Sequence, residues 1–452
     1  MSKLLVILGA GESGAGAAML GIRKGFTVFV TDQGPIKSEY KSQLVAEGIE
    51  FEEGGHTLER ILSAALIIKS PGIPDKAPVV AKALVAGIEV IDEIEFAFRY
   101  INGKVIAITG TNGKTTTTLL TWHILNTAGF RVALAGNVGE SLAGKVAQGD
   151  HDWYVVEISS FQLDGTRTFR PEIGILTNIT PDHLDRYEYR MENYVSSKFR
   201  LVANMANTGH FIYHGQDPVV EHEINSRLIR PIKYPVSLDP QSSGVYCIGT
   251  EMHFNVAGAV FNIEQSETTL KGPHNLLNTM CAVTAALLAG VQEKVIRHAL
   301  GTFVNAPHRL ESVATIKGVE FINDSKATNV DSVVYALESY QQPLIWIAGG
   351  IDKGNDYGRI KEVVAEKVKS IICLGKDNSK LFDYFSGIVP DISETGDVRK
   401  LVRMALDQAQ IGDVVLLSPA CASFDLFKNY EDRGNQFRAA VLELKKEVEP
   451  AS

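Results

Sequence analysis

Short apolar runs, each followed by glycine or polar residues, recur along the chain and predict β-strands that alternate with helices. The first run, residues 4–8, precedes a helical pattern at 15–24, and a second run at 27–31 ends at Asp32. Another strand is predicted at 88–91. Because strands that alternate with helices form parallel sheets covered by helices, this pattern predicts an α/β fold.

The middle of the chain repeats the alternation. A buried strand is predicted at 105–108, a glycine-bearing turn follows, and a helix begins at Lys114 and ends near residue 128. The same pattern predicts strands at 153–158 and 174–179, a helix at 191–205, a β-rich segment at 209–261 and a helix at 274–289.

The last third of the chain contains apolar runs that end in polar loops. Strands are predicted at 319–322, 344–348, 370–374 and 414–417. Polar segments at 323–329, 349–354 and 418–425 follow three of them. Because ligands bind beyond the carboxyl ends of strands in open α/β sheets, the three loops predict one shared binding face on a doubly wound sheet.

The turn after the strand at 105–108 has the composition of a phosphate-binding loop. Glycines allow a close backbone approach, free N–H groups at a helix start attract an anion, and a lysine adds positive charge. The loop is shorter than the strict P-loop pattern, because Ile108 stands where that pattern has its first glycine. An accidental turn is the alternative. The predicted contacts of a nucleoside triphosphate with magnesium are Gly110, Thr111, Asn112, Gly113, Lys114, Thr115 and Thr116.

The glycine-rich segment at 9–14 matches the dinucleotide-binding pattern, and Asp32 follows it at the expected distance. An NAD-dependent oxidoreductase is therefore one alternative. However, only about 90 residues precede the next nucleotide-binding unit, which is too few for both halves of an NAD domain. We interpret the region as a holder of a diphosphate-bearing substrate, with Ser13 near phosphate and Asp32 near a ribose or uracil. Alternatively, Asp32 only caps a turn.

Composition narrows the function further. The net charge of −9 argues against a nucleic-acid partner, because no basic excess is present to neutralise phosphates. The four cysteines show no CxxC spacing, so neither a zinc site nor a disulfide framework is predicted. No apolar stretch approaches the ~20 residues of a membrane span. We expect a cytoplasmic, monomeric protein that acts on small molecules, without a nucleic-acid or membrane partner.

The length of 452 residues suggests about three domains. Connectors are predicted near residue 93 and at 304–309. The predicted domains are a small Rossmann-like domain at 1–92, a central P-loop ATPase-like domain with a parallel sheet at 93–304, and a doubly wound Rossmann-like domain at 305–452.

Three residues of the central region suggest metal chemistry. Glu157 lies near the C-terminal end of a predicted strand, where nucleotide enzymes place a magnesium ligand, whereas His183 lies in a polar turn and is unremarkable alone. Lys198 falls on the apolar stripe of the helix at 191–205. A buried ammonium is costly unless it is paired or altered, so Lys198 is either a lysine that extends to solvent or one carbamylated by CO₂ that ligates a second Mg²⁺.

Asn275 and Asn278 lie three residues apart at the start of the helix predicted at 274–289. They share a helix face, which suits hydrogen bonding to a nucleotide base. In the alternative interpretation, one of them is the N-cap of the helix.

These motifs, in this order, resemble the Mur ligases, which are three-domain ATP-dependent enzymes that add amino acids to a UDP-muramyl precursor of peptidoglycan. The resemblance covers essentially the whole chain. It rests on the GTNGKTT loop, Glu157, the His183 turn, the helix with Lys198, the HNxxN segment at Asn275 and the Pro-His-Arg linker at 307–309. The DSKATN segment at 324–329 and SPACASFD at 418–425 indicate the member that adds D-glutamate.

The resemblance implies roles by position. Catalytic roles fall to Lys114, His183, Lys198 and Lys326. ATP contacts are extended to Asn275, Asn278, Arg309 and Asp324, with His308 beside Arg309. Two Mg²⁺ ions are implied, with Thr115, Glu157, His183 and a carbamylated Lys198 as ligands. The UDP-muramyl substrate is implied at Ser13, Asp32, Gly72, Asn137, Ser159 and His183. D-Glutamate is implied at Thr328, Lys353, Ser423 and Tyr430.

Two departures from the family pattern concern individual contacts. Tyr430 stands where phenylalanine is common, and the segment 33–35 lacks an expected arginine. A sibling ligase, either another Mur enzyme or a folylpolyglutamate synthase, is the main alternative. A non-catalytic nucleotide-binding regulator is a further one. We also expect the third domain to close on the central one.

Overall fold

The computed structural model describes residues 3–449 and contains three β-sheets. Strands of the first sheet are β1 (Leu4–Leu8), β2 (Thr27–Asp32), β3 (Glu50–Glu53), β4 (Leu66–Lys69) and β5 (Val90–Asp92). All neighbouring strands are parallel, in the order β3-β2-β1-β4-β5. The helices of this region are α1 (Glu12–Arg23), α2 (Ser38–Ala46), α3 (Leu58–Leu62) and α4 (Pro78–Val85). Residues Glu93–Phe98, at the predicted connector, form helix α5.

The central region contains a nine-stranded sheet. Its strands are β6 (Lys104–Thr109), β7 (Val132–Gly136), β8 (Trp153–Glu157), β9 (Ile173–Leu176), β10 (His210–His214), β11 (Ile232–Ser237), β12 (Val245–Ile248), β13 (Glu251–Val256) and β14 (Ala259–Glu264). The order is β14-β13-β12-β11-β10-β9-β6-β8-β7, with antiparallel pairing confined to β12, β13 and β14. The helices are α6 (Lys114–Thr127), α7 (Leu142–Gln148), α8 (Ser160–Asp164), α9 (Met191–Ala203), α10 (Pro218–Ser226), α11 (Pro273–Leu288) and α12 (Glu293–Thr302).

The third sheet has six strands. They are β15 (Glu311–Ile316), β16 (Val319–Asn323), β17 (Leu344–Ala348), β18 (Val368–Leu374), β19 (Asp391–Thr395) and β20 (Val414–Leu417). The order is β15-β16-β20-β17-β18-β19, and only β15 is antiparallel to its neighbour. The helices are α13 (Val330–Glu338), α14 (Lys361–Lys367), α15 (Ser379–Phe385), α16 (Val398–Gln408) and α17 (Tyr430–Val448). Separate apolar clusters cover its two faces, as in a doubly wound domain.

The described residues form two compact units. One comprises 3–269 and 277–303, and the other comprises 270–276 and 304–449. Within the first unit, the five-stranded and nine-stranded sheets share one apolar cluster that includes Leu5 and Tyr154. Within residues 3–449, no helix has the length and apolar composition needed to cross a membrane. The three separate sheets confirm the predicted three-domain α/β architecture, although two of them share one compact unit, whereas the exact boundaries at 92 and 304 stay predictions.

The structure differs from the sequence-based expectation at some element ends. Helix α1 begins at Glu12, three residues earlier than predicted, so Ser13 lies in its first turn. Helix α5 forms because Asp92 caps it by accepting a hydrogen bond from Ile94 N. Strands β15 and β19 were not predicted, since their alternating and partly exposed residues give no continuous apolar run.

Candidate functional site

The phosphate loop connects β6 to α6 and depends on two glycines. Gly110 and Gly113 have φ angles of +148° and +83°, where side chains other than glycine are strained. A Cβ on Gly110 would overlap with the Thr177 hydroxyl, and one on Gly113 would overlap with the Asn278 amide. The two glycines therefore allow the loop to pack directly against Thr177 and Asn278, and Lys114 begins the helix as predicted.

Hydrogen bonds from the end of β9 hold this loop in place. Thr111 N donates to Asn178 O at 2.9 Å, and Asn112 N donates to Asn178 Oδ1 at 2.9 Å. The Thr111 hydroxyl lies 3.0 Å from both Thr180 O and the Tyr194 hydroxyl. Consequently the shape of the loop is fixed by the sheet rather than by its own sequence alone.

Two lysines meet at the carbonyl of Gly110. Lys114 Nζ donates to Gly110 O at 2.9 Å and to Thr111 O at 2.7 Å, while Lys198 Nζ donates to Gly110 O at 2.7 Å. Lys198 is only 2% exposed, which rules out a side chain that extends to solvent. Burial, together with the neighbouring Lys114 ammonium, lowers the pKa of Lys198 well below its ordinary value.

Glu157 ends β8 close to the phosphate loop and is buried. Its Oε1 accepts a hydrogen bond from Asn137 Nδ2 at 2.8 Å. Its Oε2 is buried and has no hydrogen-bond partner among the described residues. Because a buried carboxylate oxygen without a partner is costly, this atom is suited to a cation. Thr115 and Thr116 are buried in the first turn of α6.

His183 occupies a left-handed backbone position, with φ of +52°, just before a single 3₁₀ turn, Leu184–Tyr187. Its side chain is half exposed, and its ring centroid lies 5.1 Å from that of Phe161. His183 Nε2 lies 3.6 Å from Asp182 Oδ2. The imidazole therefore lies at the protein surface and not in the apolar core.

A cleft of about 450 Å³ brings together predicted residues of the N-terminal and central regions. Its lining includes Ser13, Lys114, Asn137, Ser159, His183 and Lys198. Ser159 also caps α8 by accepting a hydrogen bond from Gln162 N at 3.3 Å. The cleft thus joins the two glycine-containing loops at one place.

A second groove, of about 590 Å³, follows the glycine loop of the N-terminal region and is lined in part by Gly9, Gly11 and Asp32. The carboxylate of Asp32 accepts from Ala10 N at 2.7 Å and from Gly34 N at 2.9 Å, so it holds the loop as well as lining the groove. His56 and Lys82 also line it. No sequence pattern indicated these two residues.

Gly72 lies outside the linings of both clefts. Its carbonyl accepts a hydrogen bond from Arg186 at 3.1 Å.

The two asparagines of α11 belong to different compact units. Asn278 lies beside the phosphate loop, where its Oδ1 accepts from the Thr117 hydroxyl at 3.2 Å. Asn275 Nδ2 donates to Lys271 O at 2.8 Å. Neither residue is the N-cap, because α11 begins at Pro273.

Asp324 follows β16 and is buried near Arg309. Its carboxylate accepts from the Ser418 hydroxyl at 3.0 Å and from Leu310 N at 3.2 Å. Burial raises the pKa of Asp324 to about 7, although Ser418 and Arg309 oppose that rise. Asp324 and the Ser418 loop therefore meet, as the prediction of a shared binding face requires.

Three of the predicted D-glutamate residues, Thr328, Lys353 and Ser423, lie on the strand-end loops of the third sheet, and Tyr430 is the first residue of α17. Lys326 Nζ lies 5.3 Å from the centroid of the Tyr430 ring. Ser423 is buried, while Thr328 is partly buried. Lys353 follows Asp352, which shapes its loop by accepting hydrogen bonds from Gly354 N at 2.7 Å and Asn355 N at 2.9 Å.

Arg433 joins these loops and was not identified from the sequence. It is 1% exposed in the first turn of α17. Its guanidinium donates to Ser325 Oγ at 2.9 Å, Ser325 O at 2.8 Å, Cys421 O at 3.2 Å and Gly349 O at 3.5 Å. Burial lowers its pKa to about 10. A charge at a buried position of an amphipathic helix was the only available signal.

Within residues 3–449, no group of three or more His, Cys, Asp or Glu side chains is arranged to hold a metal ion. The predicted magnesium ligands would not form such a group, because they combine a threonine, a single carboxylate, a histidine and a lysine. Mg²⁺ usually retains waters and binds substrate phosphates rather than a cage made only of protein.

Comparisons with known proteins agree with this geometry. The chain matches family models described as the Mur ligase MurD-like N-terminal domain at 3–92, the Mur ligase middle domain at 108–286, and the Mur ligase glutamate ligase domain at 308–421. It is 50% identical over 453 residues to the UDP-N-acetylmuramoylalanine–D-glutamate ligase of Cytophaga hutchinsonii, covering 98% of this chain and 100% of the relative. The chain belongs to the Mur ligase family.

Other Mur ligases extend the similarity. The UDP-N-acetylmuramoylalanine–D-glutamate ligase of Bacteroides fragilis is 49% identical over 444 residues, covering 98% of this chain and 100% of the relative. The solved structure of UDP-N-acetylmuramate-alanine ligase MurC from Thermotoga maritima superposes with a TM-score of 0.64 at 15% identity, covering 98% of this chain and 100% of that one. At that identity the structural likeness establishes the Mur ligase fold.

Proposed function

We propose that this Mur ligase adds D-glutamate to UDP-N-acetylmuramoyl-L-alanine, with ATP converted to ADP and phosphate. The observation that carries the proposal is the cleft in which Ser13 of one glycine loop and Lys114 of the other line the same space. One loop suits the diphosphate of a nucleotide sugar and the other suits a nucleoside triphosphate. The names of relatives about 50% identical to this chain support the choice of D-glutamate.

ATP is assigned to the phosphate loop, residues 110–116. The N–H groups at the start of α6 and the Lys114 ammonium would face its phosphates, and Asn278 lies directly beside the loop. Asn275, Arg309 and Asp324 are proposed as further ATP contacts.

Magnesium fits the residues beside the loop, because Glu157 Oε2 is buried without a hydrogen-bond partner among the described residues. We propose Thr115 and Glu157 as protein ligands of one ion, and His183 and Lys198 as those of a second. When bound, Mg²⁺ offsets the negative charge of phosphoryl oxygens. Asn137 holds Glu157 Oε1, which orients the other oxygen.

Lys198 is proposed to carry a carbamate. The side chain is buried, its hydrogen bond goes to the neutral carbonyl of Gly110, and its pKa is lowered by burial and by Lys114. An uncharged amine can attack CO₂, forming an N–C bond and releasing one proton, which leaves a carboxylate in place of a cation. That exchange would remove the repulsion between two lysines that now share one carbonyl.

The reaction is proposed to pass through an acyl phosphate. A carboxylate is a poor electrophile, so the L-alanyl carboxylate first attacks the γ-phosphorus of ATP, and ADP leaves. The amine of D-glutamate then attacks the acyl carbon, and phosphate leaves after an amine proton is lost. Lys114 would stabilise the charge on the transferring phosphoryl group, and Lys326 is proposed to lie near the reacting amine.

D-Glutamate is proposed to bind the strand-end loops of the third sheet through Thr328, Lys353 and Ser423, together with Tyr430 at the start of α17. Lysine and hydroxyl donors suit a dicarboxylate amino acid. Arg433 would keep the three loops at a fixed spacing, because it bonds to carbonyls of all three. We further propose a monomer that acts in the cytoplasm, where ATP is available.

The test is phosphate release from ATP in the presence of UDP-N-acetylmuramoyl-L-alanine and bicarbonate, with D-glutamate, L-glutamate, L-lysine or meso-diaminopimelate supplied separately. Release with D-glutamate alone is expected. Release only with another amino acid would indicate a sibling ligase. If no amino acid supported release, the proposed activity would be wrong and a nucleotide-binding regulator would replace it.

A further inference from the structure

Arg186 connects two regions that contribute predicted substrate contacts. It lies in the 3₁₀ turn Leu184–Tyr187, and its backbone N donates to His183 O at 3.0 Å. The guanidinium reaches the N-terminal region, where it donates to Pro71 O at 2.5 Å and to Gly72 O at 3.1 Å. A single side chain therefore spans from the His183 turn to the turn that follows β4.

The guanidinium is also held from the side. Its central carbon lies 4.4 Å from the centroid of the Phe161 ring, in a cation–π arrangement. The same ring contacts His183, with centroids 5.1 Å apart. Pro71, Phe161 and His183 all line the cleft of about 450 Å³. Arg186 thus lies behind the wall of the cleft and fixes the position of three of its lining residues.

We propose that Arg186 is a positioning residue that sets the width of the cleft for the UDP-muramyl substrate. This inference rests on the proposed function. Of the residues that line the cleft, Pro71 and Ser13 come from the N-terminal region, whereas Asn137, Ser159 and His183 come from the central region. A nucleotide sugar bound between the two sets of residues requires a fixed distance between them. The Arg186 guanidinium maintains that distance before the substrate binds. Pre-organisation of this kind strengthens binding without touching the reacting atoms.

The geometry favours arginine over lysine at this position. A guanidinium can donate to two carbonyls at once and stack on a ring, whereas an ammonium is a point charge. Arg186→Lys should therefore retain part of the effect, and Arg186→Gln should lose most of it. Because the contacts precede chemistry, the loss should appear as weaker substrate binding rather than slower turnover.

Arg167 provides a matched control. It also lies in the central region and donates to a carbonyl of the N-terminal region, Val90 O, at 3.1 Å. Neither Arg167 nor Val90 lines the cleft. If cleft width is what matters, Arg167→Gln should leave substrate binding unchanged, although it removes the same type of bond between the same two regions.

The experiment measures KM and kcat for UDP-N-acetylmuramoyl-L-alanine in the full-length wild type, R186Q, R186K and R167Q, together with calorimetric binding of that substrate without ATP. For R186Q we expect KM and Kd to rise about tenfold, with kcat changed less than about threefold and KM for ATP unchanged. R186K should fall between R186Q and the wild type, and R167Q should match the wild type. Thermal unfolding verifies that all four proteins are folded.

Several results would overturn the inference. Equal effects of R186Q and R167Q would indicate a general loosening of the two regions, and a fall in kcat at unchanged KM would place Arg186 in the chemical step. Unchanged KM and Kd in R186Q would remove any role. If the wild type bound the UDP-muramyl substrate but did not join D-glutamate to it, the proposed function would fail while the Kd values still decided the role of Arg186. Absence of binding by the wild type would contradict both.

Discussion

The phosphate loop of the central domain and the strand-end loops of the third domain are both proposed to bind ligands, but they are held together differently. The phosphate loop is one continuous segment, and backbone hydrogen bonds to the end of β9 fix it. The third-domain loops come from three separate strands, and a single buried side chain, Arg433, bonds to each of them.

Because of this difference, we expect a single side chain to matter for activity in the phosphate loop and for stability in the third domain. In the phosphate loop, Lys114 is proposed to act on the ligand and should contribute little to stability, because the backbone is held by other groups. In the third domain, Arg433 keeps the loops together, is 1% exposed and lines neither of the two clefts of the first unit. We therefore expect opposite outcomes when one side chain is removed from each region.

The largest effect is expected for Lys114→Ala. Loss of the ammonium should lower kcat/KM by roughly 10³-fold, because a pre-organised charge at the phosphoryl group is absent. The free energy of unfolding should change by less than about 1 kcal/mol, since Lys114 is only partly buried and Gly110 O keeps its hydrogen bond from Lys198. Phosphate release and urea denaturation measure the two quantities. A large loss of stability with activity retained would reverse the comparison.

Arg433→Met should act in the opposite sense. It leaves the carbonyls of Ser325, Gly349 and Cys421 without their donor, so we expect a loss of about 3 kcal/mol in unfolding free energy. The matched control is Arg438→Met in the same helix, where Arg438 pairs with Glu311 near the surface and should contribute less than about 1 kcal/mol. Similar losses in both variants would show that Arg433 contributes no more to the unfolding free energy than an ion pair near the surface. Urea denaturation of the two variants decides between these outcomes.

The same difference explains what the sequence could predict. The phosphate loop was identifiable because glycines, Lys114 and the flanking strand and helix are contiguous, so a local pattern describes the whole arrangement. Lys198 was identifiable as a buried charge because the helical period places it on an apolar face, and the structure confirms that burial. The three-sheet architecture followed from the alternation of apolar runs and helical segments.

Contacts between distant segments were not predictable in this way. Arg433 bonds to residues 12 to 108 positions away, and Arg186 reaches a turn 114 positions away. Nothing in the residues around either arginine indicates its partner. His56 and Lys82 line the N-terminal groove only because β2, β4 and their connections bring them together. The topology of the sheets, rather than local pattern, decides such neighbours.

Gly113→Ala tests how closely the phosphate loop packs against Asn278. The substitution combines an unfavourable φ of +83° with overlap of the new Cβ and the Asn278 amide, so we expect a loss of about 2 kcal/mol in unfolding free energy. In the double variant with Asn278→Ala the overlap is relieved, and the loss should be smaller than the sum of the two single losses. Urea denaturation of the four proteins measures this coupling. Strict additivity would mean that the two residues do not interact.

The smallest effect is expected at the junction of the first two sheets, where Glu93 of α5 accepts a hydrogen bond from Ala143 N. Burial, reinforced by the neighbouring Asp92 carboxylate, raises the pKa of Glu93 to about 8. The folded protein therefore retains a proton that the unfolded chain loses near its ordinary value of 4.5. The resulting stabilisation is complete below that pH and is lost as the pH rises to about 8.

Glu93→Gln cannot ionise, so its thermal stability relative to the wild type should improve as the pH is raised, by roughly 2–4 °C between acidic and alkaline buffer.

Glu95, in the same helix, should affect stability with the opposite pH dependence. Burial tends to raise its pKa, but hydrogen bonds from Thr168, Arg167 N and Phe169 N outweigh that tendency and lower it. Its contribution to stability is therefore present above the ordinary pKa and is lost as the pH falls through the lowered value. Glu95→Gln should accordingly be most harmful at neutral and alkaline pH. Melting curves across the pH range that moved in the same direction for both variants would contradict the assignment, because burial and Asp92 raise the pKa of Glu93 whereas hydrogen bonds lower that of Glu95 on the same short helix.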